Sequence, residues 1–229
     1  MSNPLHEESY GSITPQILGL VGPIYSGKRE LAEYVCSHLA CTETISISKF
    51  ALIDAKKTSS HRIDTLSNNK AEIREYINTK RHMYGNDYFL RQMNLKSIVN
   101  KTLVIVRSLK TVAEVDYIHS IGGRVVGLTA DQHIRYNRSQ NEEALQGFNF
   151  EYFKTLEKTE FPEMDEAYEK ADYKYVNNYQ KTSKKDEVDL FHIGPCSDVL
   201  NKIAYMYPEL DRDHDRFDAK FEDFLMKHA

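Results

Sequence analysis

Short apolar runs alternate with amphipathic stretches along most of this chain. Gln16–Val21 is a continuous apolar run, the pattern of a strand buried on both faces. Lys28–Leu39 has apolar residues at helical spacing, and Thr44–Ser48 alternates as a second short strand. Residues 51–70 are polar and weakly patterned, with Lys56-Lys57-Thr58-Ser59-Ser60 and Ser67-Asn68-Asn69-Lys70. They read as a loop or as a substrate-facing segment. Ala71–Lys80 and Tyr88–Asn100 follow as helices, with Asn86 or Asp87 placed to cap the second. Lys101–Val106, Arg124–Thr129 and Tyr173–Val176 read as strands. Thr111–Ser120 reads as a helix ended by Gly122-Gly123, and Asp131 caps another that runs through Arg138. Phe150–Lys158, Pro162–Lys170 and Cys196–Tyr205 complete the helical set.

Strands that alternate with helices predict a three-layer α/β/α fold around a mainly parallel, five-stranded sheet. Residues 1–15 read as a flexible leader, 16–206 as the folded domain, and 207–229 as a charged helical tail. The tail mixes charges of both signs before apolar-spaced Phe217, Phe221, Phe224 and Leu225, the pattern of a solvated helix or of a protein-partner contact.

Composition narrows the class. A chain of 229 residues with 41% hydrophobic and 28% charged residues can bury one sizeable core. A net charge of −4 gives no nucleic-acid footprint, and no stretch is long and apolar enough to suggest a membrane span. Cys36, Cys41 and Cys196 show no metal-ligand spacing, so no metal site is expected from them. Their sparse, odd number and the polar N-terminus point to an intracellular protein, cytoplasmic or nuclear. Cys36 falls on the apolar side of its helix and reads as a buried thiol.

The candidate chemistry begins where the first strand ends. Gly22-Pro23-Ile24-Tyr25-Ser26-Gly27-Lys28 is a G-x-x-x-x-G-K loop set between a strand and a helix. That context is the one a phosphate-cradling P-loop requires. Backbone N–H groups curl inward, Lys28 adds a cation, and the helix N-terminus adds partial positive charge. Gly22, Ser26, Gly27, Lys28 and Arg29 are therefore the candidate nucleotide-binding residues. Arg29 stands where this motif has a Ser or Thr whose hydroxyl ligates Mg²⁺.

Further segments resemble one family in matching order over residues 16 to 180. Arg81-His82-Met83-Tyr84-Gly85-Asn86-Asp87-Tyr88-Phe89-Leu90-Arg91 resembles the R-x-x-x-G-x-D-x-x-x-R stretch of deoxynucleoside monophosphate kinases. Val104-Ile105-Val106-Arg107 resembles their D-x-x-R strand end, with Glu114-Val115 in the next helix. Ile134-Arg135-Tyr136-Asn137-Arg138 resembles the R-x-x-R of their lid, about 135–160 here, and Ala171-Asp172 with Asn177-Asn178 resembles their A-D…N ending. The chain thus resembles the P-loop nucleoside monophosphate kinase-like family, related to dephospho-CoA kinase and to the P-loop domain of fungal deoxycytidylate deaminases.

The resemblance implies ATP as phosphoryl donor and a nucleotide or other small phosphorylated molecule as acceptor. It implies Lys28 on the donor phosphates, Arg81 and Arg91 on the acceptor phosphate, Arg107 bridging the two, and Arg135 and Arg138 closing over the transferring group. Mg²⁺ is implied as well, but Arg29 and Val104 replace its usual hydroxyl and carboxylate ligands. Those two departures keep a second reading open: a catalytically impaired member of the fold that acts as a regulatory or protein-interaction module.

Overall fold

The structure, a computed structural model, describes residues 15–39, 42–58, 70–98, 103–141, 146–160, 162–178, 201–203 and 205–207. The leader, most of the tail and the second half of the 51–70 segment lie outside the described residues.

Five strands form one sheet, all paired in parallel: β1 (Gln16–Val21), β2 (Thr42–Ser46), β3 (Leu103–Leu109), β4 (Arg124–Thr129) and β5 (Tyr173–Val176). Their order across the sheet is β2-β3-β1-β4-β5, which puts β1 at the centre. The continuous apolar runs are explained by burial on both faces. Ile17 and Val21 join Val104, Val106 and Val125 in one core, while Leu18 and Leu20 join Leu103, Ile105, Val126 and Leu128 in the other.

The first core is covered by α2 (Ile47–Thr58), α3 (Lys70–Tyr84), α4 (Tyr88–Met93), α5 (Val112–Ser120) and α8 (Met164–Glu169). Gly19 leaves room for the Leu109 side chain of β3, which a Cβ there would meet at 2.6 Å, while Ile118 of α5 would stand in ordinary contact at 3.5 Å. The second core is covered by α1 (Lys28–His38), with Ile203 and Tyr207 alongside. The Tyr207 hydroxyl donates to the Ile17 carbonyl at 2.6 Å and accepts from the Arg124 N–H at 3.1 Å, which clips Tyr207 to the sheet. Two further helices, α6 (Gln132–Ser139) and α7 (Phe150–Glu160), stand beside the loop between β1 and α1.

Several elements differ from the sequence pattern. Residues 51–58 are helix, not loop: α2 buries Ile47, Ala51 and Ala55, and alanines at this spacing give only a faint apolar stripe. The helix from Tyr88 stops at Met93 instead of reaching Asn100. Asn94 turns into the left-handed region at φ 43°, and a 3₁₀ turn follows over Leu95–Ser97. Asp87 sits at the cap position of that helix without a capping hydrogen bond. Asp131 does cap α6, its carboxylate accepting the His133 N–H at 2.8 Å. β3 runs past Val106 to Leu109, with an extra residue relative to β1 and Ser108 at φ 68°. Cys36 is half-buried rather than buried, with its Sγ 3.0 Å from Thr44 Oγ1.

Helix α5 begins in a capping box that also carries a buried charge. The Thr111 hydroxyl accepts the Glu114 N–H, and the Glu114 carboxylate accepts the N–H groups of Lys110 and Thr111 at 2.7 and 3.2 Å. Its other oxygen pairs with Arg81 of α3. Glu114→Ala leaves the Arg81 guanidinium buried without its counter-charge and removes half of the cap. A loss of about 3–5 kcal/mol is expected, read as a lower urea midpoint at unchanged m-value.

Candidate functional site

The loop from Gly22 to Gly27 leaves the carboxyl end of the central strand and feeds directly into α1. Gly22 has φ 140° and Gly27 φ 102°, so both glycines hold backbone angles that side chains disfavour. Tyr25 adopts φ 59° without being glycine, which marks strain held by its surroundings. Gly27 occupies the N-cap position of α1, and no side chain caps that helix. The free N–H groups of its first turn, with their partial positive charge, therefore open toward the loop.

The carbonyl oxygens of the loop are engaged one by one by side-chain donors. Lys28 Nζ donates to the Gly22 and Pro23 carbonyls at 2.7 and 2.6 Å, and to Ser26 Oγ at 3.1 Å. Arg135 donates to the Ile24 carbonyl at 3.3 Å and Arg138 to the Tyr25 carbonyl at 2.9 Å. Asn177 Nδ2 donates to the Ser26 carbonyl at 2.9 Å. Five successive carbonyls, from Gly22 to Ser26, are thus turned toward α6, β5 and Lys28.

Burial, and then the neighbouring charges of Lys110 and Arg135, push the Lys28 ammonium down to about 7. Lys28 as a residue keeps some exposure, while its ammonium lies inside the loop. Near neutral pH the group stands between two forms. The ammonium donates all three bonds, whereas the neutral amine can instead accept from the buried Ser26 hydroxyl. An anion beside Lys28 favours the ammonium.

The other residues singled out from sequence are placed differently. Arg135 and Arg138 do come to the loop, from α6. Arg107 lies near the carboxyl end of β3, opposite Ser46 of β2, and its Nε is buried with no hydrogen-bond partner. Arg29 is exposed in the first turn of α1. Arg81 is paired with Glu114, and Arg91 is an exposed residue that pairs with Asp87 at 3.2 Å and donates to the Tyr84 carbonyl. Two contributors carried no signal in the chain's local pattern, Lys110 beside Lys28 and Glu157 paired with Arg135, while Asn177, part of the A-D…N ending, places its amide on the loop.

The residues present do not fit a protein-held Mg²⁺. Val104 is fully buried among apolar side chains, Arg29 brings a positive charge, and the described residues contain no cluster of three or more His, Cys, Asp or Glu. An anion fits far better, because burial and the neighbouring charges of Lys110 and Arg135 already weaken the Lys28 ammonium in its absence.

Sheet order, the glycine-lysine loop and the helix layers together make this a three-layer α/β/α fold with a P-loop-like turn at the carboxyl end of its central strand. Solved structures are similar to it over most of its length. TT1252 from Thermus thermophilus matches over 85% of this chain and 99% of its own, at 13% identity and a TM-score of 0.50. The shikimate kinase from Acinetobacter baumannii, solved in complex with shikimate, matches over 86% and 94%, at 16% identity and a TM-score of 0.48. Dephospho-CoA kinase from Campylobacter jejuni matches over 83% and 98%, at 18% identity and a TM-score of 0.42. At such identities the likeness is one of fold. No protein-family model and no curated protein matches the chain. Among the described residues, no helix is long and apolar enough to cross a membrane.

Proposed function

We propose that this chain binds the phosphates of a nucleotide, ATP foremost, in the 22–28 loop and transfers the γ-phosphoryl group to a small phosphorylated acceptor. One observation carries the reading: an uncapped helix N-terminus opens behind a glycine-lysine loop with an ammonium group inside it. In this reading Gly22 and Gly27 allow the close backbone approach, the N–H groups from Ser26 onward cradle the β- and γ-phosphates, and Lys28 neutralises their charge. Arg107, near the carboxyl end of β3, bridges donor and acceptor, with a buried Nε that has no partner, as the Nε of Arg81 has none. Lys110 adds positive charge near Lys28. The new P–O bond forms from an acceptor oxygen as the bond to ADP breaks.

Arg81 and Arg91 enter this scheme with difficulty. Arg81 is held through one terminal nitrogen by Glu114, whose carboxylate also shapes the turn that carries Lys110. That pairing, with the unfit metal ligands, favours a second reading in which the loop binds nucleotide without turnover and the protein acts as a regulatory or interaction module, through the 207–229 tail among other surfaces.

A panel of nucleoside monophosphates and other phosphorylated small molecules, incubated with ATP in the presence and absence of Mg²⁺, separates the two. Transfer to any acceptor, lost by about a hundredfold or more in Arg107→Ala, supports the kinase. Thermal stabilisation by ATP or ADP with no product from any acceptor supports the second reading. No stabilisation by ATP, ADP or inorganic phosphate, with Lys28→Ala indistinguishable from wild type, ends both.

A further inference from the structure

Arg135 and Arg138 belong to the helix pair that a P-loop kinase would close over its donor, yet neither guanidinium is left facing an open site. Arg135 is buried, with 7% of its surface exposed. Its Nε donates to the Ala130 carbonyl at 2.9 Å, and one terminal nitrogen donates to the Ile24 carbonyl while paired with Glu157. Glu157 is itself held, since its second oxygen accepts from Gln132 Nε2 at 3.0 Å. Arg138 bridges two carbonyls, Tyr25 in the loop and Asn177 after β5, both at 2.9 Å. Aromatic contacts run in parallel with these bonds. The Tyr25 ring lies 6.2 Å from Phe153 of α7, and the Arg135 guanidinium stands 5.9 Å from the same ring.

Three of these contacts end on the loop's least comfortable residues. Ile24 and Tyr25 are bulky where such a loop carries small residues, and Tyr25 is held at a positive φ. Something outside the loop must impose that shape, and the donors that do so come from α6, with Glu157 of α7 behind them.

We propose that α6 and α7 form a fixed brace for the 22–28 loop, with Glu157 as a positioning residue that acts through Arg135. The two arginines keep the Ile24 and Tyr25 carbonyls turned outward, which leaves the N–H groups of the loop free to converge on an anion. This rests on the anion-binding reading for its consequence, but the shape of the loop is a property of the protein alone.

The sign of the response makes the proposal testable. Glu157 carries a negative charge near an anion site, so electrostatics alone has its neutralisation strengthen anion binding. A brace has the opposite outcome, because Arg135 loses its anchor and the loop loses its shape. In Glu157→Gln, amide hydrogen exchange over residues 22–28, measured without any ligand, should be about tenfold faster. Sulfate and ADP should bind about tenfold more weakly. Arg138→Lys keeps the charge but cannot span both carbonyls, and should do the same. It serves as the second variant should Glu157→Gln fail to fold.

Unchanged loop exchange in both folded variants overturns the brace. So does tighter sulfate or ADP binding in Glu157→Gln, the result expected if Arg135 were freed to serve the anion directly. Wild-type protein that binds neither sulfate nor ADP defeats the anion-binding reading instead, and leaves the exchange measurement to judge the brace by itself.

Discussion

Gly22→Ala should be the most damaging single-methyl change in this protein. A Cβ at Gly22 would lie 1.9 Å from the Leu128 carbonyl oxygen, far inside contact distance, and the obstacle is backbone rather than a side chain that can swing away. Leu128 belongs to β4, which pairs directly with β1, so relief requires the two central strands to part where the loop begins. The φ of 140° adds strain of its own. A cost of about 4 kcal/mol or more is expected, which for a domain of this size lowers Tm by about 8–16 °C. Gly122→Ala is the internal control. It too has a positive φ, 80°, but nothing lies within 4 Å of its Cβ, so only the backbone strain of about 1 kcal/mol applies. Equal melting temperatures for the two variants would show that the close approach of the loop to β4 is not as described.

The two glycines also mark how much of the molecule its sequence makes legible. β1 and β4 are read with their observed bounds, because an apolar run buried on both faces leaves little freedom in where it starts and stops. β5, an edge strand that alternates half-buried and exposed residues, is read with its observed bounds as well. The G-x-x-x-x-G-K loop is legible for a related reason: its chemistry needs residues that are neighbours in the chain. α2 is not legible, since Ala51 and Ala55 are fully buried but contribute almost nothing to an amphipathic pattern. β3 is cut short in a sequence reading because Arg107 and Ser108 interrupt its apolar run, although both lie within the strand.

Around the loop the motifs name Arg138 and Asn177, but what these residues touch is hidden for a different reason. Asn177 holds the Ser26 carbonyl across 151 residues of sequence, and Arg138 reaches the Tyr25 carbonyl across 113. Arg81 resembles an acceptor-binding arginine in its local motif, yet what it meets is Glu114, contributed by a helix on the far side of β3 in the chain. A motif specifies which residue types are present. Partners drawn from other elements decide which of those residues remain available to a ligand, and periodicity carries no record of them.

Sulfate binding should depend on pH in a way that isolates Lys28, because sulfate keeps its two charges across the range from pH 6 to pH 9. In the ligand-free protein burial and two neighbouring cations push Lys28 down to about 7, and a bound dianion raises it again. Below about pH 7 the ammonium is present before and after binding, so affinity is flat. Above it, binding must take up a proton, and affinity should fall by up to about tenfold per pH unit. Lys28→Met should bind sulfate about ten- to a hundredfold more weakly at pH 6 and show no such slope. Lys28→Arg, permanently charged, should also be flat. Folding stability must move the opposite way. The unfolded chain holds the Lys28 proton to about 10.5 and the folded chain only to about 7, so between these values the unfolded state binds more protons and stability rises with pH. Below about 7 the full cost of the buried charge stands. Urea denaturation at pH 6.5 and pH 9 should therefore reveal a gain for wild type that Lys28→Met lacks, while the same pH change weakens sulfate binding. A wild-type affinity for sulfate that holds constant to pH 9 would place the Lys28 ammonium in contact with solvent, not inside the loop.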